Sequence, residues 1–127
     1  MWTWMLLACA GAVDTSINRG APLVTIASPE DGATVCGSPL VVQVEVANLT
    51  LAAPVSDPAD AAPGTGHVDI MLNGQDADMI WDDTAEIEDV ADGAWQLKVE
   101  LSGADHAPIE PYTYDLIYIT VDALACG

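Results

Sequence analysis

The stretch Ala94-Trp-Gln-Leu-Lys-Val-Glu-Leu101 alternates strictly between apolar and polar residues. Because successive side chains of a β-strand point to opposite faces, this period of two predicts a strand with one buried face. The residues on that face are Trp95, Leu97, Val99 and Leu101. No segment of useful length has the 3.6-residue period of an amphipathic helix. The chain is therefore predicted to be all-β.

The same alternation recurs on both sides of this stretch. It predicts further strands at residues 23–27, 40–46, 67–72, 79–81, 86–90 and 112–121. Between them lie turn signals, of which Asn73-Gly74 is the strongest because both central residues of a type I′ turn need positive φ. Near Tyr114 the alternation slips, which predicts a β-bulge. About seven short strands at this spacing predict an antiparallel Ig-like β-sandwich over residues 23–127.

Residues 48–66 do not fit a minimal sandwich. They include five Ala and three Pro and show no strand pattern. A loop of this length inside a compact domain is usually functional or disordered. Its Pro and Ala content predicts a stiff, partly extended excursion rather than a hidden helix.

Charge excludes several classes of partner. The chain has 127 residues, enough for one domain, and carries 20 Asp and Glu against 2 Lys and Arg, a net charge of −18. Such a chain cannot neutralise phosphates or bind an anionic membrane surface through a polybasic patch. Hydrophobic residues make up 51%, which is too many for an acidic disordered tail. We expect a monomer with no nucleic-acid partner.

The first residues indicate export. Residues 1–8 carry no charge and end in Leu6-Leu7-Ala8 before Cys9, which resembles a bacterial lipobox. The resemblance implies that residues 1–8 are a lipoprotein signal peptide and that Cys9 is lipidated. The apolar run is short and lacks a basic start, so residues 1–8 are either the whole signal peptide or part of a longer one, and both alternatives imply export. Residues 9–22 are then the anchor and a flexible tether.

The residue after Cys9 refines the predicted location. Ala10 stands there rather than Asp, which in lipoproteins favours the outer membrane over retention at the inner membrane. The apolar run is also much too short to span a bilayer, which takes about 20 residues. We therefore expect an extracytoplasmic protein that contacts the membrane only through its lipid anchor.

Lipidation of Cys9 leaves an even pair of cysteines, Cys36 and Cys126. They follow the first and the last predicted strand regions, which run side by side in an Ig-like sandwich. An oxidising compartment favours a disulfide over two unrelated buried thiols. The bond would close a loop of 126 − 36 = 90 residues and stabilise the fold by about 4 kcal/mol in the chain-entropy model.

Three motifs carry a resemblance to known domains. The run from Pro22 to Val35 resembles the opening of bacterial Ig-like modules, with Ser-Pro-Glu-Asp-Gly after an alternating strand. Gly64-Thr-Gly-His67-Val-Asp69 and Asp105-His106-Ala-Pro108 resemble exported bacterial domains that pair a Gly-x-Gly-His-x-His strand with a later Asp-His-x-Pro loop. This chain has Asp69 where that group has its second His. The resemblance covers residues 22–121 and implies the Ig-like fold rather than an activity.

Sandwich topology brings two of these motifs together. The strand from His67 and the strand ending at Leu101 are expected to be antiparallel neighbours, so the loops before and after them share one end. We expect His67, Asp69 and His106 to converge there. Two imidazoles and a carboxylate suit Zn²⁺ or Cu²⁺, and Met71 on the same face could add a thioether for Cu(I). The alternative, which we favour, is that the histidines only bond loop backbone and that the domain holds no cofactor.

Catalytic signals are weak. Ser102 and the other serines are expected in turns or loops, and none lies in a Gly-x-Ser-x-Gly elbow. No acidic cluster has EF-hand spacing, although weak Ca²⁺ association at residues 76–83 is an alternative. Trp81 and Trp95 are expected in the core. We therefore predict that the protein is not an enzyme.

Two hypotheses for the function remain. The first is a non-catalytic extracytoplasmic binding or structural module of a bacterial lipoprotein, which presents residues 48–66 and 102–111 to a partner in the cell envelope. The alternative is a periplasmic domain that binds copper or zinc through His67, Asp69 and His106.

Overall fold

The computed structural model describes residues 20–104, 107 and 109–127. Within them the chain forms nine strands: β1 (Leu23–Ser28), β2 (Thr34–Val35), β3 (Leu40–Ala47), β4 (Thr50–Leu51), β5 (Thr65–Leu72), β6 (Gln75–Ile80), β7 (Thr84–Ile87), β8 (Gly93–Gly103) and β9 (Tyr114–Val121). Two short 3₁₀ helices cover Pro58–Asp60 and Ala123–Cys126. None of the described helices is long and apolar enough to cross a membrane. The all-β prediction is confirmed.

The strands form two sheets. The smaller sheet has the order β1-β3-β7, and the larger has the order β2-β9-β8-β5-β4, with β6 also paired to β5. The long strands pair antiparallel, as predicted, whereas the two-residue strands β2 and β4 pair parallel with β9 and β5. These two short strands account for the difference from the predicted seven. Two residues carry no period, so the sequence pattern cannot reveal them.

The core lies between the two sheets. Alternate residues of the long strands are buried there: Leu40, Val42 and Val44 of β3, Val68, Ile70 and Leu72 of β5, Leu97, Val99 and Leu101 of β8, and Ile117, Ile119 and Val121 of β9. The predicted inward faces are confirmed. Trp95 is partly buried and packs against this cluster, whereas Trp81 follows the last residue of β6 and is 49% exposed. The prediction that Trp81 belongs to the core is wrong.

The strand predicted at residues 86–90 is shifted in the structure. β7 begins at Thr84 and ends at Ile87, and it pairs with β3 from Gln43 to Leu40. Asp89 has a φ of 61°, in the left-handed region, which does not continue a strand. The chain therefore leaves the sheet before Glu88 and Asp89, which the predicted strand had included, whereas Glu86 remains within β7.

An inward carboxylate replaces the bulge predicted near Tyr114. The β8–β9 ladder runs without a register shift from Gly93–Val121 to Glu100–Tyr114. The alternation of inward and outward side chains continues through Tyr114 because Asp115 takes an inward position at the margin of the sandwich. Its Oδ2 accepts a hydrogen bond of 2.8 Å from the backbone N of Ile26 on β1.

The same arrangement closes the open edge of β1. Thr113 Oγ1 accepts a 3.3 Å hydrogen bond from the backbone N of Val24, two residues before Ile26. Side chains at the start of β9 thus satisfy the N–H groups that β1 does not use in its pairing with β3. An edge strand with free backbone groups invites pairing with another chain, and these two bonds occupy two of the N–H groups that such pairing would use.

A disulfide joins Cys36 and Cys126, as predicted. Cys36 follows β2 and Cys126 lies in the 3₁₀ helix after β9, and the parallel pairing of β2 with β9 brings the two cysteines together. Ser38 N also donates to Cys36 Sγ at 3.4 Å. The bond closes a loop of 90 residues, which contains the strands from β3 to β9. β1 and β2 precede the loop.

Replacing Cys36 and Cys126 together by Ser should lower the free energy of unfolding by about 2–5 kcal/mol, because the unfolded chain regains the freedom of the open loop. Urea denaturation followed by tryptophan fluorescence measures this change. Cys9→Ser is the matched control, since it removes a cysteine and keeps the disulfide. Equal unfolding midpoints for the double variant and the control would contradict the prediction.

Candidate functional site

The β5–β8 ladder positions the candidate site. It pairs Gly66 with Gly103, His67 with Ser102 and Asp69 with Glu100. Gly66 has to be glycine, because a Cβ there would collide with the backbone O of Ser102 and press on Leu49. The Gly-x-Gly part of the motif therefore allows the close approach of the strands that places His67 opposite Ser102.

Three side chains on the outer face of these strands form a polar group. The Nε2 of His67 lies 3.2 Å from Asp69 Oδ1, close enough for an ion pair when the imidazole is protonated. Ser102 Oγ donates a 2.7 Å hydrogen bond to the other carboxylate oxygen, Oδ2. His67 is fully buried and Ser102 is nearly so, whereas Asp69 is partly exposed. We call this group the β5–β8 clamp, because Asp69 links residues of both strands.

The clamp has the residue types of a serine hydrolase triad in a different order. In a triad the histidine stands between the serine and the carboxylate, so that it can take the serine proton. Here Asp69 stands in the middle and accepts from Ser102. A hydroxyl that donates to a carboxylate, with no histidine positioned to take its proton, is held in place rather than activated. This arrangement stabilises the pairing of two strands.

Sequence reasoning missed Ser102. It placed this serine in a loop, but β8 continues to Gly103 and Ser102 lies within the strand. The alternation of β8, which points Leu97, Val99 and Leu101 into the core, continues for one more residue. Ser102 therefore points to the opposite face, which it shares with His67. This pattern in the sequence could have identified it.

Two long loops meet at this end of the sandwich, as the topology predicted. The backbone N of Val55, in the 48–66 loop, donates to Ala104 O at 3.1 Å. Ala52 N donates to Gly66 O at 2.9 Å, and Gly103 N donates to Ala107 O at 2.7 Å, which closes the turn after β8. The 48–66 loop is largely irregular, with β4 and one 3₁₀ turn, in agreement with the predicted extended excursion.

Of the three predicted metal ligands, the structure brings His67 and Asp69 together. His106 lies outside the described residues. Met71 shares the outer face of β5 with them, two residues beyond Asp69. Among the residues that are described, no group of three or more His, Cys, Asp or Glu side chains is arranged to hold a metal ion. Asp76 and Asp78 border a shallow depression beside Asp69, and this acidic surface forms no such group either.

A second polar group lies further along the same face. The ammonium of Lys98 lies 5.0 Å from the ring centre of Tyr114 and 5.5 Å from that of Tyr112, and the two rings stack with centres 5.3 Å apart. The Tyr112 hydroxyl donates a hydrogen bond to Glu100, and this bond raises the pKa of Tyr112. A hydrogen bond with Tyr112 raises the pKa of Lys98 against the opposing effect of burial. These contacts favour the protonated ammonium of Lys98 beside the two rings.

Several solved structures are similar to this chain at low sequence identity. The fibronectin III-like modules of Clostridium thermocellum CbhA match with a TM-score of 0.54 at 17% identity, over 82% of this chain and 48% of theirs. An engineered protein matches with a TM-score of 0.51 at 18% identity, over 82% and 21% of the two chains. A PKD domain of human KIAA0319 matches with a TM-score of 0.41 at 15% identity, over 82% and 85%.

The fold is Ig-like. This chain spans about half of the length of the CbhA structure and about a fifth of the engineered one. No family model matches the sequence, and no curated protein matches it at a significant level. At these identities the likeness establishes the fold of the Ig-like domain and nothing about its ligands.

Asp69→Ala should lower the free energy of unfolding by about 1–3 kcal/mol, because the nearly buried Ser102 hydroxyl loses its acceptor and His67 loses its contact with the carboxylate. Urea denaturation at pH 7 measures the loss. Asp76→Ala is the matched control: it removes one exposed negative charge from the neighbouring strand and leaves the clamp intact. Equal effects of the two substitutions would show that the clamp does not stabilise the strands.

Proposed function

We propose that this Ig-like domain is a non-catalytic binding or structural module of a bacterial lipoprotein. In this proposal, Cys9 carries the lipid that anchors the chain outside the cytoplasm, at the outer membrane. The 48–66 and 102–111 loops face a partner in the cell envelope. The domain acts as a monomer and binds no nucleic acid.

The observation that carries this proposal is the joining of the two loops. Val55 and Ala104 are linked by a backbone hydrogen bond, and the strands below them are fixed by Gly66 and the clamp. Loops held on a rigid β-scaffold are the usual location of binding residues. The described part of these loops therefore supports a single surface at one end of the domain.

Two further observations support the rest of the proposal. The Ser102–Asp69–His67 order favours a structural role of the residues that otherwise suggest hydrolysis. The Cys36–Cys126 disulfide favours a compartment that is oxidising. An excess of acidic residues keeps such a domain soluble and monomeric.

A photo-crosslinking amino acid at Asp57, an exposed position of the 48–66 loop, tests the proposed surface in intact cells. We expect a discrete adduct with an envelope component. The same probe at Leu124, which is 88% exposed in the 3₁₀ helix at the opposite end, is the matched control and should give no such adduct.

Fractionation of the same cells tests the anchor. The wild-type chain and its adduct should sediment with the outer membrane, and Cys9→Ser should release the chain to the soluble periplasm. Identical adducts from both probe positions would contradict the loop surface, and membrane association of Cys9→Ser would contradict the anchor.

We propose metal binding as a second candidate function, on one specific observation. The 3.2 Å between His67 Nε2 and Asp69 Oδ1 matches the separation of two ligands that share one tetrahedral ion at about 2.0–2.2 Å from each. Ser102 holds the second carboxylate oxygen, as residues behind a metal site commonly do. Cu²⁺ or Zn²⁺ would then require a third donor, for which His106 is the candidate.

Calorimetric titration of the full chain with Zn²⁺, Cu²⁺ and Ca²⁺ tests this second function. One-to-one binding of Zn²⁺ or Cu²⁺, lost in both His67→Ala and His106→Ala, would establish the site. Asp76→Ala, which changes the charge and none of the proposed Zn²⁺ or Cu²⁺ ligands, should bind these two ions as the wild type does. Equal binding heats for the wild type and all variants would overturn the metal hypothesis. Binding that sodium chloride abolishes in every protein would overturn it as well.

A further inference from the structure

The outer face of β8 and β9 differs in charge from the rest of the domain. Its side chains alternate with those of the core and comprise Ala94, Gln96, Lys98 and Glu100 on β8, and Tyr114, Leu116, Tyr118 and Thr120 on β9. One Lys and one Glu cancel, so the strip is neutral in a chain with a net charge of −18. Eight of the acidic residues instead lie in residues 76–92, outside this strip.

Tyrosine rings are the largest groups on this neutral strip. Tyr114 and Tyr118 are 52% and 58% exposed, and Tyr112, which precedes β9 and stacks on Tyr114, is 47% exposed. These rings do not fill the core, and Lys98 and Glu100 fix the orientation of two of them. A fixed, exposed aromatic ring loses little conformational freedom when a ligand covers it.

Polar groups that can bond hydroxyls surround the rings. Gln96 Nε2 donates to the Tyr118 hydroxyl at 3.2 Å, and Asn73, Gln96, Tyr118 and Thr120 line an open depression of about 380 Å³ beside Tyr118. The carboxylate of Asp31 reaches the backbone N of Tyr118 at the margin of the strip. The neutral donors and acceptors of Asn73, Gln96 and Thr120 thus lie beside the Tyr118 ring, and Asp31 adds one carboxylate at the margin.

Charge and size select the class of partner. A polyanion is repelled by the net charge of −18, and a cationic protein is drawn first to the acidic surface around residues 76–92. Two strands make a strip about 10 Å wide and about 25 Å long. A protein partner usually covers about 800 Å² of each surface, several times the area of the strip. A narrow, uncharged and extended ligand fits it better.

We propose that the outer face of β8 and β9 binds an uncharged glycan chain. A pyranose ring presents C–H groups on its face and hydroxyls around its edge. The C–H face packs on Tyr114 and Tyr118, and the hydroxyls bond Gln96, Thr120 and Asn73. This surface does not include the 48–66 loop, so the inference holds or fails independently of the loop-mediated function.

Native gel electrophoresis in gels that contain one soluble polysaccharide each tests this inference with the full chain. Hydroxyethyl cellulose, mixed-linkage β-glucan, galactomannan and dextran are the neutral probes, and alginate is the polyanion. The acidic chain migrates quickly in such gels, so retardation is readily measured. We expect retardation by at least one neutral probe and none by alginate.

Substitutions identify the surface. Tyr114→Ala and Tyr118→Ala should each weaken binding about ten-fold, whereas Tyr118→Phe should retain most of it because the ring remains. Trp81→Ala is the matched control, since it removes an exposed aromatic ring from another part of the domain and should bind as the wild type does. Unchanged thermal unfolding of the variants shows that they are folded.

Three outcomes would each overturn the inference: no retardation by any neutral probe, retardation by alginate alone, or equal retardation of the wild type and both alanine variants. If the probe at Asp57 gives no adduct while the chain still binds glycan, the loop-mediated function is refuted and the glycan inference is not.

Discussion

The register between β5 and β8 is the constraint on which the rest of this domain depends. A slip of one residue would turn Val68, Ile70 and Leu72 out of the core and bring His67 and Asp69 into it. Gly66 permits this register sterically, because any side chain there would strike the backbone of Ser102. The clamp then fixes it chemically, through the Ser102 bond to Asp69. The positions of the loops at this end, and of the neutral strip on β8 and β9, both depend on that ladder.

Much of the fold follows from alternation alone. The inward faces of β3, β5, β8 and β9 could be assigned from residues such as Leu97 and Ile119, because a half-buried strand repeats every two residues. Asp115 could not be interpreted correctly in this way. A carboxylate at an inward position looks like a break in phase until the N–H of Ile26 is known to face it. That partner belongs to the other sheet, and its position depends on tertiary structure.

The candidate site was predictable to a similar extent. His67 and Asp69 are two residues apart on one strand, so their common face follows from the pleat. Ser102 is their cross-strand partner, and the pairing is specified by the whole β5–β8 ladder rather than by any local pattern. The tyrosines of the neutral strip are also recognisable in the sequence, because positions 112, 114 and 118 are separated by even numbers of residues. The sequence does not show that β8 lies beside these tyrosines. Only that pairing shows that Lys98 and Glu100 belong to the same surface, where their charges offset each other.

The disulfide divides the chain into two parts with different responses to tension. Residues between Cys36 and Cys126 lie inside a covalent loop, whereas β1 and β2 lie outside it. A pulling force applied between residue 20 and residue 127 can therefore extend only the segment before Cys36, to about 55 Å. β1 would leave β3 and β2 would leave β9, whereas the strands from β3 to β9 lie inside the covalent loop and carry no load. The covalent bond thus limits the extension of the domain: the segment before Cys36 can lengthen, and the residues inside the loop do not lengthen under load.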